Sequence, residues 1–194
     1  LMQLRSSPEP PEPDSLRFDF WPIRSARADT AVDRLNHWVP TLNELSDYLP
    51  LVEQLLKKTA ATTVRNTGLD PPLVTLYQRL VLATGWQESC WRQYVVRQKK
   101  IVPLRSNTGD IGLMQLNEKV WRGFYDVQKL RWDIAYNIEA GTEVLLNYLV
   151  SYALKKGEHK QRGGLDNLAR ATYSAYNGGP GKVSRYRDPA AASA

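Results

Sequence analysis

The chain has 194 residues, of which 42% are hydrophobic and 24% charged, so it is long enough to bury the core of one soluble domain. Its formal net charge of +6 favours an anionic partner, but the cations lie in scattered short doublets, which argues against a dedicated nucleic-acid binder. The single cysteine, Cys90, excludes an intramolecular disulfide, and two histidines outside any ligand-spaced motif do not predict a metal site, so no cofactor is expected.

The N-terminal part of the chain divides into two regions. Residues 1–27 contain a proline-rich run followed by aromatic residues, and they are predicted to form an extended linker. Residues 28–69 have apolar side chains at helical spacing and predict a helical region that either supports the rest of the fold or docks a protein partner. No stretch approaches the length of a membrane span. The chain opens on Leu1 without a signal peptide, so we expect it to be part of a longer protein.

Residues 70–187 are predicted to form the main domain, followed by a tail at 188–194. Asp70-Pro71-Pro72 is a helix start, in which a capping side chain precedes proline in the first turn. Three further helices are predicted, one around Trp121, one over about 133–155 and one from Leu165 to Tyr176. Because no alternating strand pattern of useful length is present, the fold class is predicted to be all-α.

Glu88 is the first candidate functional residue. It falls four residues after Thr84 and seven after Val81, on a largely apolar face near the end of its helix. The negative end of the helix dipole and partial burial both favour a protonated carboxyl, which is the form required of a general acid in glycosidic cleavage. On position alone, however, a surface or salt-bridged glutamate is the simpler interpretation.

The segment over residues 106–115 favours the functional interpretation. Gly109 and Gly112 allow the backbone to come close to a ligand, and Gln115 offers a donor and an acceptor suited to hydroxyl and acetamido groups. The segment lacks the Lys-Ser/Thr end of a phosphate loop, so phosphate binding is not predicted.

A second unusual segment lies at residues 175–181, where an apolar run ends in a Tyr-Asn pair and a Gly-Gly-Pro-Gly turn. The hydroxyl of Tyr176 is suited to hydrogen-bond a catalytic carboxyl, and the amide of Asn177 is suited to read an N-acetyl group. A plain helix stop remains an alternative for Asn177, but it does not explain the whole string.

Taken in order, these motifs resemble the catalytic domain of the bacterial soluble-type lytic transglycosylases, which has a goose-type-lysozyme-like helical fold. The resemblance covers roughly residues 70–187. It rests on Gln87-Glu88-Ser89, Gly112-Leu113-Met114-Gln115, Asn137-Ile138 with Gly141, and Ala175-Tyr176-Asn177-Gly178-Gly179-Pro180-Gly181. It implies that Glu88 is the single catalytic acid/base. The residues that it implies for the glycan cleft are Ser106, Met114, Gln115, Tyr176 and Asn177.

The resemblance also implies a substrate and a location. The substrate would be peptidoglycan glycan strands, cut at the β-1,4 bond between N-acetylmuramic acid and N-acetylglucosamine, in the periplasm or cell envelope. Glu88 would protonate the leaving oxygen and then, as a carboxylate, take the proton of the muramic C6 hydroxyl, which closes onto C1 as a 1,6-anhydro end. One carboxylate would suffice, unlike the two-carboxylate glycosidase scheme.

Two features depart from the family pattern. The stretch from Glu88 to Ser106 is longer than usual, and it predicts either an extra cleft wall or a misassigned Ser106. Asp110 stands where the family often has a small neutral residue, and in the cleft it would position a water and favour hydrolysis. The alternatives are therefore a hydrolytic goose-type muramidase and, from another class, a non-catalytic peptidoglycan-binding or interaction module.

Overall fold

The computed structural model describes residues 30–187, so the predicted linker at 1–27 and the tail at 188–194 lie outside the described residues. Helices dominate this part of the chain, which confirms the predicted all-α class. None of the helices within 30–187 is long and apolar enough to cross a membrane.

The first helices pack directly on the rest of the fold. Helix α1 spans Thr30–Leu35, and a short 3-10 turn at Leu42–Glu44 leads into α2 at Leu45–Val64. One face of α2 is buried, through Tyr48, Val52, Leu56, Ala60 and Val64. These side chains share one apolar core with those of the later helices. A protein partner for residues 28–69 stays a prediction.

Helix α3 spans Pro71–Ser89 and starts at the predicted Asp70-Pro71-Pro72 signal, although the Asp70 side chain makes no capping hydrogen bond. At its end, Cys90 and Trp91 both have positive φ, of 52° and 58°, which turns the chain sharply away from the helix axis. The indole of Trp91 then folds back and donates to Leu82 O at 3.0 Å. Glu88 therefore lies in the last turn of α3, and the hydrogen bond of the Trp91 indole holds the chain that follows this turn against the helix.

Four short strands follow, which the sequence did not predict. Strands β1 (Tyr94–Arg97) and β2 (Lys100–Pro103) form an antiparallel hairpin, and β3 (Asp110–Ile111) pairs with β4 (Leu116–Asn117). Each strand has two to four residues, too few to show the period of two by which strands are read from sequence. The first hairpin occupies the long stretch between Glu88 and Ser106.

The remaining elements are helical. They are α4 (Glu118–Trp121), α5 (Val127–Trp132), α6 (Ile134–Asn147), its π-helical continuation (Tyr148–Leu154), a 3-10 turn (Glu158–Lys160), α7 (Gly164–Gly178) and a last 3-10 turn (Pro180–Lys182). Asn117, Asp126 and Asp133 cap the starts of α4, α5 and α6 with their side chains. The predicted helices at 133–155 and 165–176 correspond to α6 with its continuation and to α7.

Candidate active site

Glu88 is half-buried in the last turn of α3, and its carboxylate faces α7. The hydroxyl of Tyr173 donates to Glu88 Oε1 at 3.0 Å, across 85 residues of sequence. The sequence predicts that Tyr176 hydrogen-bonds a catalytic carboxyl, and that role of Tyr176 stays a prediction. The hydroxyl of Tyr176, one turn further along α7, donates to Met114 O at 2.7 Å. Tyr173 was missed, although its spacing of three residues from Tyr176 puts both on one face of a helix.

The helix end is joined to the glycine-containing loop through Gly85, one turn before Glu88. A Cβ at Gly85 would lie 3.0 Å from Leu113 Cδ2 and 3.2 Å from Trp91 Cδ1. The absence of a side chain thus lets Leu113 and the Trp91 ring pack against the helix backbone. This contact brings the Gly112–Gln115 segment beside the turn that carries Glu88.

Two buried amide side chains hold this segment in place. Gln93 Oε1 accepts from Leu113 N at 2.7 Å, while its Nε2 donates to Leu130 O at 3.0 Å. Asn137 Oδ1 accepts from Met114 N at 2.8 Å, and its Nδ2 donates to Ile111 O at 3.0 Å. Asn137 belongs to a motif of the resemblance, whereas Gln93 carried no signal in the sequence. Both the amide nitrogen and the amide oxygen of each side chain are therefore hydrogen-bonded, and these bonds hold the loop in place.

Glycines make this close packing possible. Gly112 has φ of 73°, and a Cβ there would lie 2.4 Å from Gln93 Oε1. At Gly141 in α6, a Cβ would lie 2.4 Å from Met114 Cβ. The group that approaches Gly141 is therefore the side chain of Met114. An alanine at either position would collide with the loop.

The predicted cleft residues differ in exposure. Met114 is fully buried, and its backbone N–H and C=O are hydrogen-bonded to the side chains of Asn137 and Tyr176. Gln115 is half-buried with φ of 50°, and its Nε2 donates to Gly112 O at 2.7 Å. Asn177 is half-buried in the last turn of α7, just before Gly179 at φ of 85°. Their contacts with a substrate stay predictions.

Ser106 and Asp110 lie together in one loop network. Ser106 Oγ donates to Asp110 Oδ2 at 2.6 Å, Thr108 Oγ1 donates to the same oxygen at 2.5 Å, and Asn117 Nδ2 donates to Oδ1 at 3.0 Å. Asp110 is only 5% exposed. Its carboxylate thus ties the turn before β3 to β4, an arrangement that gives it a structural task. A water-positioning role for Asp110 stays a prediction.

Glu118 links the same loop to α5. Its carboxylate accepts hydrogen bonds from the guanidinium groups of Arg105 and Arg131. Burial favours the protonated acid, but the two guanidinium groups outweigh it and hold the pKa of Glu118 below its ordinary value. The loop between the hairpin and β3 is therefore clamped by charge as well as by hydrogen bonds.

Two other carboxyls lie one turn apart on α6. Burial, followed by the charges of Glu143 and Asp133, raises the pKa of Glu139 to about 7. Burial also raises the pKa of Glu143, whose Oε2 accepts from Tyr125 Oη at 3.0 Å.

Within residues 30–187, no group of three or more His, Cys, Asp or Glu side chains is arranged to hold a metal ion.

The chain matches a known protein family. The family described as Transglycosylase SLT domain matches residues 75–194, which is more than half of the chain. The match includes Glu88, the loop at 106–115 and the end of α7. Neither the curated proteins nor the solved structures contain a match to this chain.

Proposed function

Since the chain belongs to the transglycosylase SLT domain family, whose members have a mainly helical, lysozyme-like fold and act on peptidoglycan, we propose that it is a lytic transglycosylase. It cleaves the β-1,4 bond between N-acetylmuramic acid and N-acetylglucosamine and leaves 1,6-anhydromuramic ends. The observation that carries this proposal is the pair formed by Glu88 and the Tyr173 hydroxyl, beside the loop that matches the family.

In this mechanism Glu88 acts twice. As an acid it protonates the leaving glycosidic oxygen, and as a carboxylate it then accepts the proton of the muramic C6 hydroxyl. A donated hydrogen bond favours the carboxylate form, so the Tyr173 hydroxyl stabilises the state between the two steps. It also fixes the carboxyl orientation while the sugar rearranges. Tyr173 is accordingly part of the proposed machinery, with Glu88 as its only acid/base.

The loop and the end of α7 supply the proposed sugar contacts. Ser106, Gln115 and Asn177 offer hydroxyl and amide groups to the glycan, while Tyr176 holds the loop through Met114 O. The three side-chain donors on Asp110 support a loop-building role for that carboxylate. This supports the non-hydrolytic outcome over the goose-type muramidase, which would use water.

The proposed domain organisation follows from the same contacts. Residues 28–69 serve as the support of a catalytic domain at 70–187, because Tyr48 Oη donates to Trp91 O at 2.9 Å and α2 shares the core of the later helices. Since the family acts on peptidoglycan, the protein works in the cell envelope, and we infer the periplasm in particular.

The test is digestion of purified peptidoglycan by the protein and by its Glu88→Gln variant, with the muropeptides read by mass spectrometry. Products one water lighter than muramidase products, absent with the variant, are expected. Ordinary reducing ends would instead make the protein a muramidase. Binding without cleavage by either protein would favour the non-catalytic module.

A further inference from the structure

The β1–β2 hairpin ends in an exposed tip that is both apolar and cationic. Val96 and Ile101 are directly opposed across the strands, and they are 57% and 40% exposed. Arg97 and Lys100 form the next pair, and Lys99 lies in the turn between them. No acidic residue occurs from Gln93 to Leu104. Within the described residues 30–187, no carboxylate forms an ion pair with any of these three cations.

The base of this hairpin is attached to the candidate active site. Leu104 N donates to Gln93 O at 2.8 Å, and Gly112 N donates to Leu104 O at 2.8 Å. Gln93 Oε1 also accepts a hydrogen bond from Leu113 N. The hairpin therefore rises from the same loop that lies beside Glu88. At about 3.3 Å per strand residue, its tip projects about 10 Å from that base.

The base of the hairpin is held by contacts of Tyr94 with the rest of the fold. Tyr94 Oη donates to Trp132 O at 2.8 Å, and the Tyr94 ring stacks on His37 at 5.4 Å between centroids. These contacts fix β1 between the chain after α1 and the end of α5. The base of the hairpin is consequently anchored to two other parts of the fold.

The turn keeps a charge where glycine would be conformationally favoured. Gln98 and Lys99 both have positive φ, of 50° and 62°, which is the geometry of the two-residue hairpin turn that Asn-Gly adopts most easily. Side chains with a Cβ are disfavoured in this region of backbone space. The hairpin thus accepts a conformational cost while it carries a lysine at its outermost point.

We propose that this hairpin tip, comprising Val96, Arg97, Lys99, Lys100 and Ile101, binds the acidic stem peptides of the peptidoglycan strand whose glycan lies at Glu88. The inference rests on the proposed function for its substrate. Stem peptides carry free carboxylates interspersed with alanine methyl groups, which complement the cations and the aliphatic pair. An extended stem of four or five residues spans about 15 Å, which is comparable with the length of the hairpin, whose base hydrogen-bonds to the loop at Gly112.

An anionic lipid surface is the competing occupant. Interfacial anchors normally insert aromatic or larger apolar side chains, and the tip offers only one valine and one isoleucine. The connection of the hairpin base to the loop at Gly112 also favours a ligand that is already bound at the site. The stem peptide is therefore the occupant that fits the tip best.

The decisive measurement is binding to soluble, uncross-linked glycan strands before and after an amidase has removed their stems. All proteins carry Glu88→Gln so that cleavage does not disturb the measurement. The test variant adds Arg97→Gln, Lys99→Gln and Lys100→Gln. The control adds the same loss of charge at three exposed lysines elsewhere, Lys155→Gln, Lys156→Gln and Lys160→Gln.

The tip variant is expected to bind stem-bearing strands about tenfold more weakly, because each of three exposed ion pairs contributes a small factor to the affinity. Its affinity for stem-free strands is expected to be unchanged. The control is expected to bind both within about twofold, because its charges are not placed at the tip. Equal weakening on both strands, or no weakening on either, overturns the inference.

One further variant and one further probe separate this inference from its alternatives. Lys99→Gly suits the turn geometry, so it should keep or raise Tm and still weaken binding to stem-bearing strands. Vesicles of phosphatidylethanolamine and phosphatidylglycerol, about three to one, test the lipid surface. Loss of vesicle binding in the tip variant without loss of stem binding overturns the inference. If the wild type does not cleave peptidoglycan, the proposed function is wrong. The difference in binding between stem-bearing and stem-free strands would still be measurable and would still test the present inference.

Discussion

Glu139→Gln should stabilise the protein above neutral pH, because Glu139 is buried beside like charges. Burial comes first among the causes, then Glu143 one turn along α6, then Asp133, and together they raise its pKa from 4.5 to about 7. The folded state therefore holds a proton that the unfolded chain releases near pH 4.5. As pH rises from that value to about 7, the free energy of unfolding falls.

The size of the effect follows from the same shift. At about 1.4 kcal/mol for each tenfold change in the proton equilibrium, moving the pKa from 4.5 to about 7 would cost about 3 kcal/mol for a fully buried group. Glu139 is half-buried, so water screens much of this penalty and about 1 kcal/mol remains. For a chain of this size, that is a rise in Tm of about 2–4 °C at high pH.

The assay is urea unfolding of the wild type and Glu139→Gln at intervals from about pH 5 to about pH 8. The two proteins should be nearly equal at the acid end and should diverge as pH rises, with the variant the more stable. The control is Glu53→Gln on α2, a partly exposed carboxylate paired with Lys57, which should show no such gain. A difference that does not change with pH, or a variant less stable near pH 8, would refute the reasoning.

Three further predictions concern the site and its supports. Tyr173→Phe removes the donor to Glu88, so the rate of anhydromuropeptide release should fall about tenfold or more with Tm little changed; a rate within about twofold of wild type would contradict the role. Asp110→Asn exchanges a carboxylate that accepts three hydrogen bonds for a single carbonyl acceptor, so the free energy of unfolding should fall by about 1–3 kcal/mol, with the products still anhydro-ended in mass spectra. A changed product ratio would assign Asp110 to the chemistry. Arg187→Met leaves the buried Glu158 carboxylate without its bidentate partner and should cost about 2 kcal/mol in urea unfolding at neutral pH, since Arg187 is partly exposed. Burial alone would raise the pKa of Glu158, but Arg187 and Asn167 hold it below 4.5, so the difference should shrink as pH falls through that lowered value; a gap constant with pH would argue against the ion pair.

The sequence by itself determined the fold class and the position of the candidate acid. Apolar residues at helical spacing and the Asp70-Pro71-Pro72 start specify α3, so the face and the end on which Glu88 lies could be read directly. Gly112 also carried usable information, because a missing side chain signals a close approach, here by the side chains of Gln93 and Asn137. Helical periodicity, caps and glycines are local features, and the sequence expresses them within a few residues.

Only the tertiary structure decided which groups meet. The hydrogen bond from Tyr173 to Glu88 depends on how α3 and α7 cross, and the two residues are 85 positions apart. The role of Gln93 under Leu113 depends likewise on three segments that converge. The cationic tip of the β1–β2 hairpin depends on strand pairing, which strands of four residues are too short to show in the sequence pattern. Local patterns specify elements, whereas contacts between distant elements depend on how the whole core packs.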